Sequence, residues 1–278
     1  MKLTAIMMSL LLSALICIEA GAEQKLSSAK ASGGTAGLSQ PQTMLWSWKK
    51  IEDLTGLNAD LVQSGRLGVA FLTSRIVIDD TNLRCYPRLG RLDFPANVYK
   101  EAVVRLEVVK LPEQGLWQEV IENLCNRILS SALSGRISAL QIDFDARLKE
   151  RQFYRQLLGR LRARLPGTIK LNMTALASWS QGDNWLEAMP ADTVVPMFFT
   201  MGSGKSEALA QLKKQLPASF KGRRAIGLSV SDAAAVEVLG DRLKEFDQIY
   251  LFCSPGWNAR RLAEAGKLLG CKLSGEDK

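Results

Sequence analysis

The chain has 278 residues, with 36 lysines and arginines, 28 aspartates and glutamates, a net charge of +8 and no histidine. The absence of histidine excludes Ser-His-Asp and Cys-His nucleophilic sites and histidine-bearing zinc centres. Proton transfer at neutral pH would fall to carboxylates, tyrosine, lysine or water. The positive charge suits an anionic polysaccharide, cell wall or lipid head groups as a partner, and it suits a solvated basic face equally well.

The amino terminus has the pattern of a secretory signal. Lys2 precedes an apolar run from Ala5 to Ile18, and Ala20-Gly21-Ala22 is a small-x-small cleavage site. We expect residues 1–22 to be a signal peptide and the mature protein to be exported, either periplasmic or secreted. The apolar run is short for a membrane span, so we expect no stable membrane insertion after cleavage.

Composition divides the mature chain into three segments. Residues 23–43 have hardly any bulky apolar side chain and predict a flexible linker. Residues 44–272 predict one barrel domain, and residues 273–278 predict a C-terminal tail.

The cysteines of the mature chain allow three disulfide pairings in an oxidising compartment, and buried free thiols are the alternative. They are Cys85, Cys125, Cys253 and Cys271.

From residue 44 onward, short apolar runs alternate with helical patterns, as in a parallel sheet covered by helices. The strand candidates are Leu45–Trp48, Leu67–Leu72 with Ile76–Ile78, Ala102–Val109, Ala139–Phe144, Ile169–Ala175, Val194–Phe199, Ala225–Val230 and Gln248–Cys253. The helix candidates are Glu113–Ser131, Lys149–Leu165, Glu207–Gln215, Ala233–Glu245 and Ala259–Leu269. This order predicts a (β/α)8, TIM-barrel-like fold. An open doubly wound sheet is the alternative, although no glycine-rich nucleotide loop follows the first strands.

The fourth strand candidate ends in two carboxylates, Asp143 and Asp145. On a strand they point to the same face about 6–7 Å apart. Active sites of (β/α)8 barrels lie at the carboxyl ends of the strands, so the pair predicts a ligand site there. The alternatives are buried acids bonded to neighbouring strands or to Arg105, and a helix cap at Asp145.

Other strand ends carry further candidate ligand contacts. They are Thr174, Trp179 and Trp185 at and after the fifth strand, Met197 and Phe199 in the sixth, Trp257 after the eighth, and Trp46 and Trp48 on one face of the first. Flat aromatic rings suit stacking on sugars, and they also fill cores. We expect no cofactor, no metal ion and, for an exported chain, no nucleic acid partner.

Four sequence motifs stand out between residues 139 and 204. They are Asp143-Phe144-Asp145-Ala146; Tyr154-x-x-Leu157-Leu158-x-x-Leu161-Arg162-x-x-Leu165-Pro166; Thr174-Ala175-Leu176-Ala177-Ser178-Trp179 with Asp183 and Trp185; and Val195-Pro196-Met197-Phe198-Phe199 with Met201-Gly202. Together they resemble an uncharacterised bacterial family, domain of unknown function 3142. The resemblance extends over most of the mature domain and implies no activity.

A more distant resemblance is to family-18 chitinase-like barrels, whose fourth strand ends in Asp-x-x-Asp-x-Asp-x-Glu and whose sixth carries Met-x-Tyr. Asp143 and Asp145 match the two central acids, and Met197-Phe198-Phe199 is similar to the sixth-strand motif. The position of the first Asp is Leu140. The position of the proton-donating Glu is Arg147, and arginine cannot donate a proton at working pH.

The resemblance implies a barrel of glycoside-hydrolase type that acts on or binds a bacterial polysaccharide or oligosaccharide through Asp143 and Asp145. Glu107, on the same strand face as Arg105, and Asp183 are the candidates for a replacement acid. The alternative is a non-catalytic carbohydrate-binding or envelope-assembly protein that has lost the acid.

Arginines beside the acids distinguish these functions. Arg105 and Arg147 are candidate ligand contacts, and an Arg147 that fills the cleft and pairs with both aspartates would weaken the case for hydrolysis.

Overall fold

The computed structural model describes residues 41–180 and 185–275. The strands are β1 (Gln42–Ser47), β2 (Glu52–Asp53), β3 (Leu67–Asp79), β4 (Asn82–Pro87), β5 (Leu92–Asp93), β6 (Tyr99–Lys110), β7 (Ala139–Phe144), β8 (Lys170–Leu176), β9 (Thr193–Met197), β10 (Ala225–Ser229) and β11 (Gln248–Phe252). The α-helices are α1 (Ala59–Gln63), α2 (Trp117–Ala132), α3 (Arg151–Arg164), α4 (Lys205–Lys214), α5 (Ala234–Leu239) and α6 (Ala259–Leu269). The predicted signal peptide, residues 1–22, lies outside the described residues.

Eight parallel strands form a closed barrel. Their order is β1, β3, β6, β7, β8, β9, β10 and β11, and β11 pairs back to β1. The predicted (β/α)8 fold is confirmed, and β7 coincides with the predicted fourth strand Ala139–Phe144. The two apolar pieces predicted between residues 67 and 78 form one strand, β3, with an irregularity between Leu72 and Ser74.

The ends of the described barrel differ slightly from the predicted segments. β1 begins at Gln42, inside the last two residues of the predicted linker. Leu273 is fully buried and Ser274 forms a bridge with Leu57, so the beginning of the predicted tail contacts the barrel.

Helices cover the outside of the barrel because their apolar stripes face the strands. On α3 the buried residues recur at helical spacing, at Phe153, Tyr154, Leu157, Leu158 and Leu161. Inside the barrel, a separate cluster contains Met44, Trp46, Ala70, Val103, Val195, Ala225 and Tyr250. The barrel is therefore filled by side chains in its middle, and a cavity can open only at an end.

A carboxylate lies within this interior. Glu101 of β6 is fully buried and accepts hydrogen bonds from Asn172 Nδ2 at 3.0 Å and from the Tyr250 hydroxyl at 2.9 Å. Burial raises the pKa of Glu101 to about 7, although both hydrogen bonds oppose the shift. The interior thus holds a group that titrates near neutral pH.

β3 and β6 are longer than the other barrel strands and extend past the rim, where β4 pairs antiparallel with β3. We call this three-stranded extension the wing; it comprises Ser74–Pro87 and Glu107–Lys110. β4 was not among the predicted strands, because its residues are largely exposed and form no apolar run.

The cysteines Cys85, Cys125, Cys253 and Cys271 are all free thiols in the structure. Cys125 and Cys253 are buried, and burial raises the pKa of both thiols. In residues 41–180 and 185–275, no helix is long and apolar enough to cross a membrane.

Candidate functional site

A cleft of about 960 Å³ opens at the carboxyl ends of the barrel strands. Its lining includes eight of the predicted site residues, namely Trp46, Trp48, Arg105, Asp143, Asp145, Thr174, Met197 and Phe199. They come from five different strands and their following loops. The barrel therefore brings together side chains that are up to 153 positions apart in sequence, as the carboxyl ends of its strands meet at one rim.

The two aspartates at the end of β7 differ sharply in exposure. Asp143 is 1% exposed and accepts hydrogen bonds from Thr174 Oγ1 at 2.8 Å and Arg105 Nη1 at 2.6 Å. Burial raises the pKa of Asp143, although Arg105 and the Thr174 hydroxyl oppose the shift. The Asp145 side chain is 41% exposed and accepts from Arg105 Nη2 at 3.0 Å. Asp145 is thus the carboxylate of the pair that a ligand can reach.

Arg105 of β6 is the group that joins the two acids. Burial alone would lower the pKa of its guanidinium, but the charges of Asp143 and Asp145 raise it above its usual range. Its Nε lies 3.6 Å from Glu107 Oε1, and Glu107 also pairs with Arg75 at 2.9 Å. Glu107 is outside the cleft lining and is held at its edge by two arginines.

Aromatic side chains form a second part of the lining, which we call the aromatic wall: Trp46, Trp48, Phe199 and Phe252. Phe199 and Phe252 are stacked with centroids 5.3 Å apart, and the Trp48 and Phe252 rings meet edge to face at 6.3 Å. The Arg105 guanidinium carbon is 5.9 Å from the centroid of Trp48. The aromatic wall and the charged side chains of Arg105, Asp143 and Asp145 therefore line one cavity.

Trp46 is fixed from two sides. Its Nε1 donates to Gln141 Oε1 at 2.7 Å inside the barrel. At Gly227 of β10, a Cβ would lie 2.8 Å from the Trp46 ring, so only glycine leaves room for the indole. The Trp48 Nε1, in contrast, is a buried donor with no hydrogen-bond partner among the described residues.

The remaining predicted site residues lie elsewhere. Trp179 and Trp185 contact each other with centroids 4.8 Å apart, and the Arg151 guanidinium carbon is 4.7 Å from the Trp185 ring. Trp257 is buried and its Nε1 donates to the Trp46 carbonyl oxygen at 2.8 Å. These three tryptophans are outside the cleft lining.

Arg147 is exposed at the turn before α3 and is also outside the lining. The arginine that pairs with both aspartates is Arg105. Asp183 lies outside the described residues.

Sequence reasoning missed part of the lining, chiefly the segment after β9. Thr200, Met201, Ser203 and Gly204 line the cleft, and so does Glu207 in the first turn of α4. The Glu207 side chain is exposed and has no hydrogen bond or ion pair among the described residues. Its pattern in the sequence is that of an ordinary helix start, and only its position after the sixth barrel strand pointed to the rim.

The structure supplies no cluster for a cation: among the described residues, no group of three or more cysteine, aspartate or glutamate side chains is arranged to hold a metal ion.

The chain matches no family model and no curated protein sequence, so the resemblance to domain of unknown function 3142 is not confirmed. Among solved structures, it is similar to the spore cortex-lytic enzyme SleL of Bacillus cereus, with a TM-score of 0.51 and 12% identity over 86% of this chain and 76% of SleL. Concanavalin B gives a TM-score of 0.46 and 11% identity over 84% of this chain and 98% of its own. At this identity, the likeness to SleL shows a shared fold. The chain is a (β/α)8 barrel whose fold is similar to that of a cortex-lytic enzyme.

Proposed function

We propose that this chain is an exported, glycoside-hydrolase-like barrel that binds a bacterial polysaccharide or oligosaccharide in the cleft. The observation that carries the proposal is one cavity of about 960 Å³ that is lined by the aromatic wall together with Arg105 and Asp145. Sugar rings have apolar faces that stack on aromatic rings and hydroxyl groups that bond to charged side chains. Export rests on the signal pattern of residues 1–22.

The contacts of the two acids favour binding over hydrolysis. Arg105 donates a hydrogen bond to each aspartate, so both carboxylates act as acceptors. Conventional glycoside hydrolysis also needs a protonated carboxyl group at the leaving oxygen. Asp143 is too deeply buried to reach that oxygen. Arg147 stands where chitinase-like relatives have their acid. The chain therefore fits a carbohydrate-binding protein that has lost the acid of its relatives.

Hydrolysis remains a second candidate because of Glu207. It supplies a further exposed carboxylate to the lining, on the helix that follows β9, two strands from β7 in the barrel. In this case Glu207 would protonate the leaving oxygen while Asp145 removes a proton from the attacking water, so that the glycosidic C–O bond breaks and a new C–O bond to water forms.

The test uses the purified mature protein with chitin, peptidoglycan and cellulose, measuring binding by co-sedimentation and cleavage by reducing-end release. We expect binding to at least one glycan without release. Asp145→Asn should weaken that binding about tenfold, because it removes one charged acceptor. The matched control is Asp241→Asn, whose side chain is 97% exposed and outside the cleft lining.

If the protein binds none of the three glycans, the proposal is contradicted. Release that disappears in Glu207→Gln while binding persists would replace it with the hydrolytic function. Release that survives in both Asp145→Asn and Glu207→Gln would remove these residues from any mechanism.

A further inference from the structure

The inner face of the barrel continues onto the wing. Arg105 of β6 is the register partner of Asp143 on one side and of Arg75 on the other, and Arg75 is in turn paired with Tyr86 of β4. Register partners in neighbouring strands point to the same face. These four side chains therefore form one row across β7, β6, β3 and β4, which begins in the cleft and ends on the wing.

The other face of the wing is covered. Ile76 and Ile78 are buried in the same cluster as the apolar side of α2, Val108 packs against that cluster, and Ser131 of α2 donates to Ser74 Oγ at 2.9 Å. The wing is thus anchored on a helix. Its inner face remains open to solvent beside the cleft.

The exposed side chains of this inner face are joined to the cleft by an unbroken series of contacts. Arg105 is 3.6 Å from Glu107, Glu107 is 2.9 Å from Arg75, and the Arg75 guanidinium carbon is 4.5 Å from the Tyr86 ring centroid. Tyr86 is 46% exposed and the Arg75 side chain 42%. Three strand spacings of about 4.8 Å place β4 about 14 Å from β7.

We propose that Arg75 and Tyr86 form an outer subsite of the cleft, so that the ligand is an uncharged glycan chain several rings long that leaves the cleft across β6 and β3 and reaches β4. The inference rests on the proposed function. The outer subsite repeats the chemistry of the cleft, with a half-exposed aromatic ring, one face of which lies under a guanidinium that donates hydrogen bonds.

Charge pairing on the wing is the reason for an uncharged chain. Arg75 pairs with Glu107, and Arg84 lies 3.5 Å from Asp79. Arg105 is likewise matched by the two aspartates of β7. No arginine in this row is left without a carboxylate, so a polyanion would have to displace existing ion pairs, whereas hydroxyl and amide groups need not.

The experiment measures affinity by calorimetry for two oligosaccharide series, oligomers of N-acetylglucosamine and of glucose, each from two to six units. The wild type should bind the six-unit oligomer of one series about tenfold or more tightly than its two-unit oligomer. Tyr86→Ala should remove most of this gain and leave the two-unit affinity unchanged. Tyr86→Phe should keep the gain, because it retains the ring.

Arg75→Ala should also reduce the gain, and Arg155→Ala, at an exposed position of α3, is its matched control. Since Tyr86 and Arg75 are exposed, thermal unfolding should show wild-type stability for both variants. Equal affinity for two and six units, or an unchanged gain in Tyr86→Ala, would overturn the outer subsite alone. Binding to neither series would also overturn it, whereas the proposed function falls only if chitin, peptidoglycan and cellulose all fail to bind.

Discussion

At the scale of single residues, Arg105 organises the site. It contacts both aspartates of β7, it lies beside Glu107, and its guanidinium is near the Trp48 ring. Asp143 is fully buried, so its charge depends on this partner and on the Thr174 hydroxyl. A single guanidinium therefore sets both the geometry and the electrostatics of the charged side of the cleft.

Arg105→Met should accordingly lower the free energy of unfolding by about 3–5 kcal/mol at pH 7, because it leaves a buried carboxylate unpaired. The loss should be smaller at pH 4, because burial raises the pKa of Asp143 and removal of Arg105 raises it further, so that protonation relieves more of the unpaired charge at the lower pH. Urea unfolding at both pH values measures this effect.

Arg75→Met is the comparison, because the pair of Arg75 with Glu107 is exposed and should contribute no more than about 1 kcal/mol. Addition of Asp143→Asn to Arg105→Met should recover part of the stability. A loss in Arg105→Met no greater than in Arg75→Met would show that the buried carboxylate does not depend on Arg105.

At the scale of elements, α3 holds the strand that carries the acids. The buried Tyr154 hydroxyl donates to the Ile142 carbonyl oxygen of β7 at 3.0 Å, and the Tyr154 ring meets Phe144 edge to face at 5.1 Å. Tyr154→Phe should therefore cost about 1 kcal/mol of stability through the lost hydrogen bond, as measured by urea unfolding. Tyr86→Phe, which removes an exposed hydroxyl, should cost nothing measurable, and equal costs in the two variants would contradict this role of α3.

At the scale of the whole molecule, the sequence predicts the barrel and the position of Asp143 and Asp145 at the end of a strand. It does so because the periodicity of strands and helices is a local property of the sequence. It does not predict which residues meet across strands. The arginine expected near the acids was Arg105 or Arg147, and only the register between β6 and β7 selects Arg105. Trp179 and Trp257 follow strand ends as predicted. Their loops, however, direct the side chains toward partners outside the cleft lining. Loop direction has no periodic signature in a sequence.

The interior of the barrel makes stability depend on pH. Glu101 is fully buried with a pKa of about 7, whereas its ordinary value of 4.5 applies to the unfolded chain. Because the folded state holds the proton more tightly, protonation of Glu101 stabilises the protein. This contribution is complete below pH 4.5 and is lost as the pH rises through 7. The difference between the two pKa values corresponds to about 3 kcal/mol in the free energy of unfolding. Most of this stability is lost between pH 5 and pH 8.

Glu101→Gln keeps the shape of the side chain and abolishes this titration. The variant should match the wild type near pH 5, and its advantage should grow to about 2.5 kcal/mol at pH 8, where the wild type buries a charge and the variant does not. Urea unfolding across this range measures the difference, and Asp241→Asn controls for a surface carboxylate. Parallel curves for Glu101→Gln and the wild type would assign the pH dependence to another group. A growing difference would instead show that the filled centre of the barrel, beneath the cleft, accommodates the Glu101 side chain best as the neutral acid.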